Sequence, residues 1–297
     1  MKLMVLGSGD LLIELIERCQ RCYPQIEIIS VCNLHIREEV IKETASKLDR
    51  LNVNRVELSG DELDKADLIL SFNCSVILPY DVVDVYDIIN MHVGILPKYR
   101  GNSANTWAIM NGEDEVGFTI HKMSRMLDEG DIYFVKKIPI LYNQTYSDVY
   151  DELMASIIDE TPRVLTGIYR GDIHARKQCG AFAYTTLFSA SMGHIKDYNI
   201  SADYIYNLFR CMAKPHGSGI YFYKNNVRYE AGKVLRGKDR GVIDYVGIPG
   251  KIVYVYDESI WVKTADNVVV FEDIKDENGN RVKTSEIFKN GQKLDSK

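Results

Sequence analysis

The chain has 297 residues, 46% of them hydrophobic and 26% charged, with a formal net charge of −6. These proportions exclude a disordered chain, and no apolar run reaches the ~18 residues that a membrane span needs. The acidic balance does not favour generic adhesion to nucleic acid, although a mildly basic second half is compatible with a phosphate-bearing ligand.

At about 150 residues per domain the length predicts two domains. MKLMVLGSG reads as a buried strand and turn, and DLLIELIERCQRC as a helix with Asp10 suited to its N-cap. The start is interrupted too soon by Gly and Asp for a secretory signal, so a cytoplasmic protein is expected. IEIISVC is the next strand, EEVIKETASKLDR a helix, and NRVEL, ADLILSF and DIINMH further strands. Strand and helix in alternation predict an α/β fold with a mostly parallel sheet and helices on both faces. VGFTIHKM and DIYFVKKIPI continue it as strands around the loop Ser124–Gly130, and a long amphipathic helix containing Pro162 follows. After the irregular stretch Asp172–Gly193, a helix capped by Ser201 leads into a hairpin turning at Asn225-Asn226 and three more short strands. Short strands without intervening helices predict a small all-β barrel or sandwich. The boundary falls near Ile195–Ser201, giving domains 1–200 and 201–297.

The six cysteines are scattered and read as reduced thiols. Cys19 and Cys22 form a CxxC without the second pair that zinc would need, and His35, His174, His194 and His216 show no ligand spacing, so no metal is expected. Gly7-Ser8-Gly9 lacks the third glycine of a dinucleotide fingerprint, and no acidic residue ends the second strand. It reads as a tight turn, and a nicotinamide cofactor is not indicated.

Asn90 and His92 are two apart at a strand end, so their side chains point the same way. An amide donor beside an imidazole can stabilise an oxyanion and move a proton at neutral pH. Asp128, in the loop between two strands, could approach the same spot and orient the histidine. The spacing alone also fits a satisfied strand end, and His121 fits a packed histidine as well as a site role.

The wider block carries more information. Asn90-x-His92, Ile95-Leu96-Pro97-Lys98-Tyr99-Arg100-Gly101, Gly117-x-Thr119-x-His121 and Leu127-Asp128-x-Gly130 together resemble the folate-dependent formyltransferase family. Its members include glycinamide ribonucleotide, methionyl-tRNA and nucleotide-amino-sugar formyltransferases. ADLILSFNCSVILP is similar to the family's strand and loop beside the folate pocket. ISADYIYNLFRCMAKPHGSGIYFY resembles the opening of the C-terminal domain of the tRNA and sugar enzymes. The resemblance implies a Rossmann-like domain followed by an OB-type barrel, with 10-formyltetrahydrofolate as co-substrate. It places the catalytic trio on Asn90, His92 and Asp128, and the donor pocket on Phe72, Asn73, Cys74, Ile77, Leu78, Pro79, Met126, Leu127 and Gly130. Gly94 departs from the pattern, standing where the family more often has Ser.

The stretch after the second strand, NLHIREEVIKETASKLDR, reads as a plain helix, whereas the tRNA enzymes resemble one another in a basic, glycine-rich insertion there. Lys98, Tyr99, Arg100, Gly101 and Asn102, followed by Trp107-Ala108-Ile109 and Asn111-Gly112-Glu113, look most like the sugar branch. Lys98 to Asn102 are the acceptor contacts this resemblance implies, with Arg100 either holding structure or contacting the acceptor side. That branch implies formylation of an amino deoxysugar carried on UDP, dTDP or GDP, feeding surface polysaccharide synthesis. The partners implied are a small nucleotide sugar, with neither membrane nor nucleic acid, and pairing through the C-terminal domain stands beside ordinary barrel packing. The alternatives are methionyl-tRNA formylation, for which the basic cluster Arg228, Lys233, Arg236, Lys238 and Arg240 speaks, and folate or sugar-nucleotide binding without turnover.

Overall fold

The computed structural model describes residues 1–256 and 258–295. The chain divides into two compact units, one of Met1–Asn105, Glu115–Pro139 and Asp151–Thr186, the other of Thr106–Asp114, Ile140–Tyr150 and Leu187 onward.

In chain order the elements begin β1 (Lys2–Leu6), α1 (Asp10–Cys22), β2 (Glu27–Val31), α2 (Glu38–Arg50), β3 (Asn54–Arg55), α3 (Gly60–Leu63), β4 (Leu68–Ser71), α4 (Tyr80–Val85) and β5 (Ile88–His92). They continue with β6 (Tyr99–Gly101), α5 (Ala104–Met110), β7 (Glu115–Lys122), β8 (Ile132–Pro139), α6 (Tyr146–Arg170) and β9 (Ala183–Thr185). The first unit is built on a seven-stranded sheet of order β3-β2-β1-β4-β5-β7-β8. The pairs from β3 through β5 are parallel, whereas β7 runs antiparallel to both β5 and β8. This is the mostly parallel α/β sheet expected. β1 and β4 are almost wholly buried, as befits continuous apolar runs in a parallel sheet covered on both faces. Met4, Leu6, Ile29, Val31, Ile69, Leu78 and Ile88 form a core cluster, against which Cys74 and Met123 also pack.

The strand order reverses between β1 and β4, the position where ligands of open α/β sheets gather. Here the two loops are tied together. Ser8 N–H donates to the Asn73 carbonyl at 3.4 Å, and Asn73 Nδ2 donates to the Ser8 carbonyl at 2.5 Å. Gly7 permits this approach: a Cβ there would stand 1.9 Å from the Phe72 carbonyl oxygen. The Gly7–Gly9 segment is therefore the tight turn expected, but the N-cap of α1 is Gly9 and not Asp10, with no side-chain cap. Gly9 N–H is instead satisfied by Thr44 Oγ1 at 2.9 Å, leaving Asp10 as the first helical residue, paired with Lys47. NRVEL contributes strand only at Asn54–Arg55, at the sheet edge.

The second unit adds α7 (Ala202–Met212), β10 (Ile220–Lys224), β11 (Val227–Arg236), β12 (Ile252–Val255), β13 (Ser259–Lys263), β14 (Val268–Lys275) and α8 (Thr284–Ile287). Ser201 caps α7, its hydroxyl accepting from Tyr204 N–H at 3.1 Å. Asn225 and Asn226 both adopt positive φ, the turn chemistry that joins β10 to β11. The sheet is five-stranded and antiparallel, in the order β10-β11-β14-β13-β12. Phe222 stacks on Phe271 in its core, with Phe288 tilted against Phe222 and edge-on to Tyr229. The segment of residues 291–295 spans from one edge of this sheet to the other. It bonds to Gly250 and Ile252 beside β12, while Asp295 N–H donates to Tyr223 of β10 at 3.0 Å.

All six cysteines are free thiols; burial pushes that of Cys19 up to about 12. Among the described residues, no helix is long and apolar enough to cross a membrane and no acidic, His and Cys group could hold a metal ion.

Candidate active site

Asn90 and His92 leave β5 on one face, and the antiparallel register sets His121 of β7 directly opposite Asn90. The loop between β7 and β8 brings Asp128 onto this face with φ at 54°. His92 Nδ1 lies 3.3 Å from Asp128 Oδ2, while Asn90 Nδ2 lies 3.5 Å from Oδ1 and 3.1 Å from His121 Nε2. The structure thus brings the three expected side chains together and adds His121, whose Nε2 is 3.4 Å from Asp128 Oδ1.

The hydrogen-bond network fixes which nitrogen of His92 can exchange a proton. Its Nε2 faces the Tyr99 carbonyl at 2.8 Å, and a carbonyl only accepts, so Nε2 carries a hydrogen. Nδ1 is left to gain or lose the second proton, facing the carboxylate. By the same reasoning His121 donates through Nδ1 to the Lys122 carbonyl at 2.7 Å, and its Nε2 lies between the Asn90 amide and Asp128 Oδ1.

His92 is 7% exposed, and burial pushes its pKa down, against the opposing pull of Asp128. Burial pushes the Asp128 carboxyl up, but the His121 contact, the His92 charge and the Gly101 N–H outweigh it, and the net direction is down. Gly101 N–H donates to Asp128 Oδ2 at 2.8 Å. The site therefore holds a carboxylate against an imidazole whose charged form is disfavoured by burial and favoured by that carboxylate, the equipment for proton transfer beside an amide donor.

Gly94 is required by this packing. A Cβ there would stand 2.4 Å from the Ala104 Cβ and 2.5 Å from His92 Nε2.

Of the expected pocket residues, Phe72 and Leu78 are buried in the core, and Asn73 gives its amide to Ser8. Cys74 Sγ contacts the Val76 carbonyl at 3.3 Å, and Pro79 precedes α4. Ile77 is 90% exposed, Met126 59% and Leu127 55%. Arg125 ties the loop of Met126 and Leu127 to α4, pairing with Asp84 and lying 5.8 Å above the Tyr80 ring. Gly130 lets the second loop press onto β7, since a Cβ would stand 1.8 Å from the Lys122 carbonyl oxygen. Exposed apolar side chains between loops rich in backbone polar groups suit a flat heterocycle.

Among the expected acceptor contacts, Lys98 and Asn102 are exposed and Tyr99 is buried, its carbonyl holding His92. Arg100 is 6% exposed and turned inward. It pairs with Glu129 at 2.9 Å, donates to Gln178 Oε1, and stacks 4.3 Å from the Phe182 ring centre. Sequence reasoning missed Glu129, Gln178, Phe182 and Tyr184. Three of them lie in the aperiodic Asp172–Gly193 stretch, which the parallel pairing of β9 with β6 delivers to Arg100.

Comparisons with known proteins agree with this architecture. Family models described as formyl transferase and formyl transferase, C-terminal domain, match residues 1–165 and 189–292. A methionyl-tRNA formyltransferase of Clostridium beijerinckii is 31% identical over 234 residues, covering 78% of this chain and 73% of the relative. The structure of a sugar N-formyltransferase from Shewanella sp. shares the fold with a TM-score of 0.62 at 19% identity, over 76% of this chain and 94% of that one. WlaRD, a sugar 3N-formyl transferase solved with dTDP and 5-N-formyl-THF, gives 0.66 at 17% identity, over 94% and 98%. The chain belongs to the formyl transferase family. It is a formyltransferase enzyme.

Proposed function

We propose that the protein transfers a formyl group from 10-formyltetrahydrofolate to the primary amine of a nucleotide-linked amino deoxysugar. The observation that carries the chemistry is the meeting of Asn90, His92 and Asp128 at one face of the sheet. The folate supplies a formyl carbon on a tertiary nitrogen, open to attack by an amine. Exposed Ile77, Met126 and Leu127 suit its ring system. His92 Nδ1, unprotonated before attack, takes the proton from the attacking amine, directly or through water. Asn90 Nδ2 and the His92 so protonated are the donors for the oxyanion, and His92 then returns a proton to the folate nitrogen as its bond to the formyl carbon breaks. Asp128 favours the imidazolium by its opposite charge.

The choice of a sugar acceptor is supported by how the charges are used. The stretch after β2 is a 13-residue helix, with Lys42 paired to Glu38 and Lys47 to Asp10. The basic side chains of the β11 region also meet carboxylates: Arg228 with Glu230, Lys233 and Arg240 with Glu272, and Arg236 and Lys238 with Asp203. A surface that gains affinity by releasing counterions from a nucleic acid needs cations not already neutralised. The second reading, formylation of methionyl-tRNA, is favoured by the names of the curated relatives at about 31% identity.

One panel separates them. The protein is incubated with 10-formyltetrahydrofolate and UDP-, dTDP- and GDP-linked amino sugars, beside charged initiator tRNA. Formylation of a sugar nucleotide is the expected result. Transfer only to tRNA overturns the sugar assignment, and folate binding without transfer to any amine identifies a binding protein.

A further inference from the structure

We infer that Gln178 is a positioning residue that sets the Asp128 carboxylate against His92. Gln178 belongs to no helix or strand, yet its place is well determined. Two residues earlier, Arg176 exchanges both backbone bonds with Ile132 at 2.7 and 2.9 Å, which lays the segment along the end of the Asp128 loop. Gln178 Nε2 donates to the Asp128 carbonyl at 2.7 Å and to the Gly130 carbonyl at 2.9 Å. Its Oε1 accepts from Arg100 Nη2 at 2.8 Å and Nε at 3.2 Å. Carbonyls only accept and a guanidinium only donates, so this amide has one workable orientation, and its hydrogen-bonding capacity there is filled.

The two things it joins are the two sides of the His92–Asp128 contact. On one side, the β6 segment around Arg100 supplies the Tyr99 carbonyl to His92 Nε2 and the Gly101 N–H to Asp128 Oδ2, both at 2.8 Å. On the other, the loop holds Asp128 in the left-handed region, which a non-glycine residue keeps only when its surroundings impose it. Arg100 cannot drift, being fixed also by Glu129 and the Phe182 ring. One side-chain amide therefore spaces the carboxylate from the imidazole. The inference rests on the proposed role of that pair in formyl transfer.

Two variants separate this from a general bracing role. Gln178→Leu loses every bond. Gln178→Glu still accepts from Arg100 but presents lone pairs to both loop carbonyls. With the full-length protein, kcat, KM for the folate and the pH–rate profile are measured. The 13Cε1 signal of His92, identified by its loss in His92→Gln, is titrated in parallel. His92 is faced by Asp128 and His121, and Asp128 by both histidines, with Arg100 and Glu129 one residue beyond the contact, so the titration reports the spacing of these groups. Both variants are expected to lose about tenfold or more in kcat with KM little changed, the scale of a catalytic group misplaced by a fraction of an ångström. Both should also displace the His92 titration.

A Gln178→Glu protein with wild-type kcat and an unmoved His92 titration overturns the inference, since the residue then only braces Arg100. Should Gln178→Leu fail to fold, as melting would show, Gln178→Glu decides alone because it keeps the Arg100 clasp. If the wild type formylates no acceptor, the functional reading fails, while the imidazole titration still judges Gln178.

Discussion

His92 turns Nδ1 toward Asp128 Oδ2 at 3.3 Å while its other nitrogen is held by the Tyr99 carbonyl at 2.8 Å. A ring pinned in this way has one direction in which to exchange a proton. Asp128→Asn removes the charge that favours the imidazolium, and Asn90→Ala removes an oxyanion donor worth ~3 kcal/mol, so each should lower turnover by about a hundredfold or more. Initial rates of formyl transfer, with circular dichroism confirming the fold, check this. Near-normal turnover in both Asn90→Ala and His92→Ala would remove them from the chemistry.

The same burial that tunes His92 ties stability to pH. Its folded pKa lies below the ordinary 6.5, so on acidification the unfolded chain takes up the proton first. Stability should therefore fall as pH drops below 6.5, levelling once the folded imidazole also protonates. Asp128, shifted downward, withholds its own contribution only at pH below the ordinary carboxylate range. Urea unfolding of wild type and His92→Gln between pH 8 and 5 tests the histidine part. The variant should lose less stability across that interval, and identical slopes would count against it.

Gly94→Ala should harm both stability and rate. The added methyl meets Ala104 and the His92 ring, and overpacking of this kind costs ~1–3 kcal/mol. Combining it with Ala104→Gly relieves one contact and leaves the other. The double variant should recover part of the melting temperature but not the turnover; joint recovery would mean that the ring is unaffected.

Gly7→Ala places a methyl 1.9 Å from the Phe72 carbonyl oxygen at a φ of +147°. Backbone must move, so a loss of ~2 kcal/mol or more is expected in denaturant unfolding. Gly171, with φ +78° and nothing within 4 Å, is the comparison: Gly171→Asn should cost under ~1 kcal/mol, as Asn tolerates that region.

Much of the fold is readable in the sequence because buried parallel strands and amphipathic helices declare themselves locally. The Asn225-Asn226 turn and the Ser201 cap do the same through their own chemistry. Asp10 misleads as a cap because the helix begins one residue earlier, at an N-cap Gly9 whose own amide is held by Thr44 of a different helix, and Asp10 turns to Lys47. Within the site, Asn90 and His92 share a strand end, and it is the resemblance of the wider block, not their spacing, that singles them out together with Asp128. His121 depends on the register of β7 against β5, which no local pattern encodes. Gln178, Phe182 and Tyr184 lie in a segment without periodicity, and only the pairing of Tyr99 with Ala183 and Arg100 with Tyr184 brings them to Arg100. Arg100, for which the sequence allows either a structural or an acceptor-side role, is engaged by neighbours distant in the chain.

The carboxyl-terminal strap of the second unit has a consequence for solubility. By occupying backbone groups of Gly250 and Ile252 and reaching Tyr223, it covers hydrogen-bonding rims that another molecule's strand could otherwise zip onto. Trimming the chain after Lys289 would uncover both rims at once, and self-association would be the first symptom.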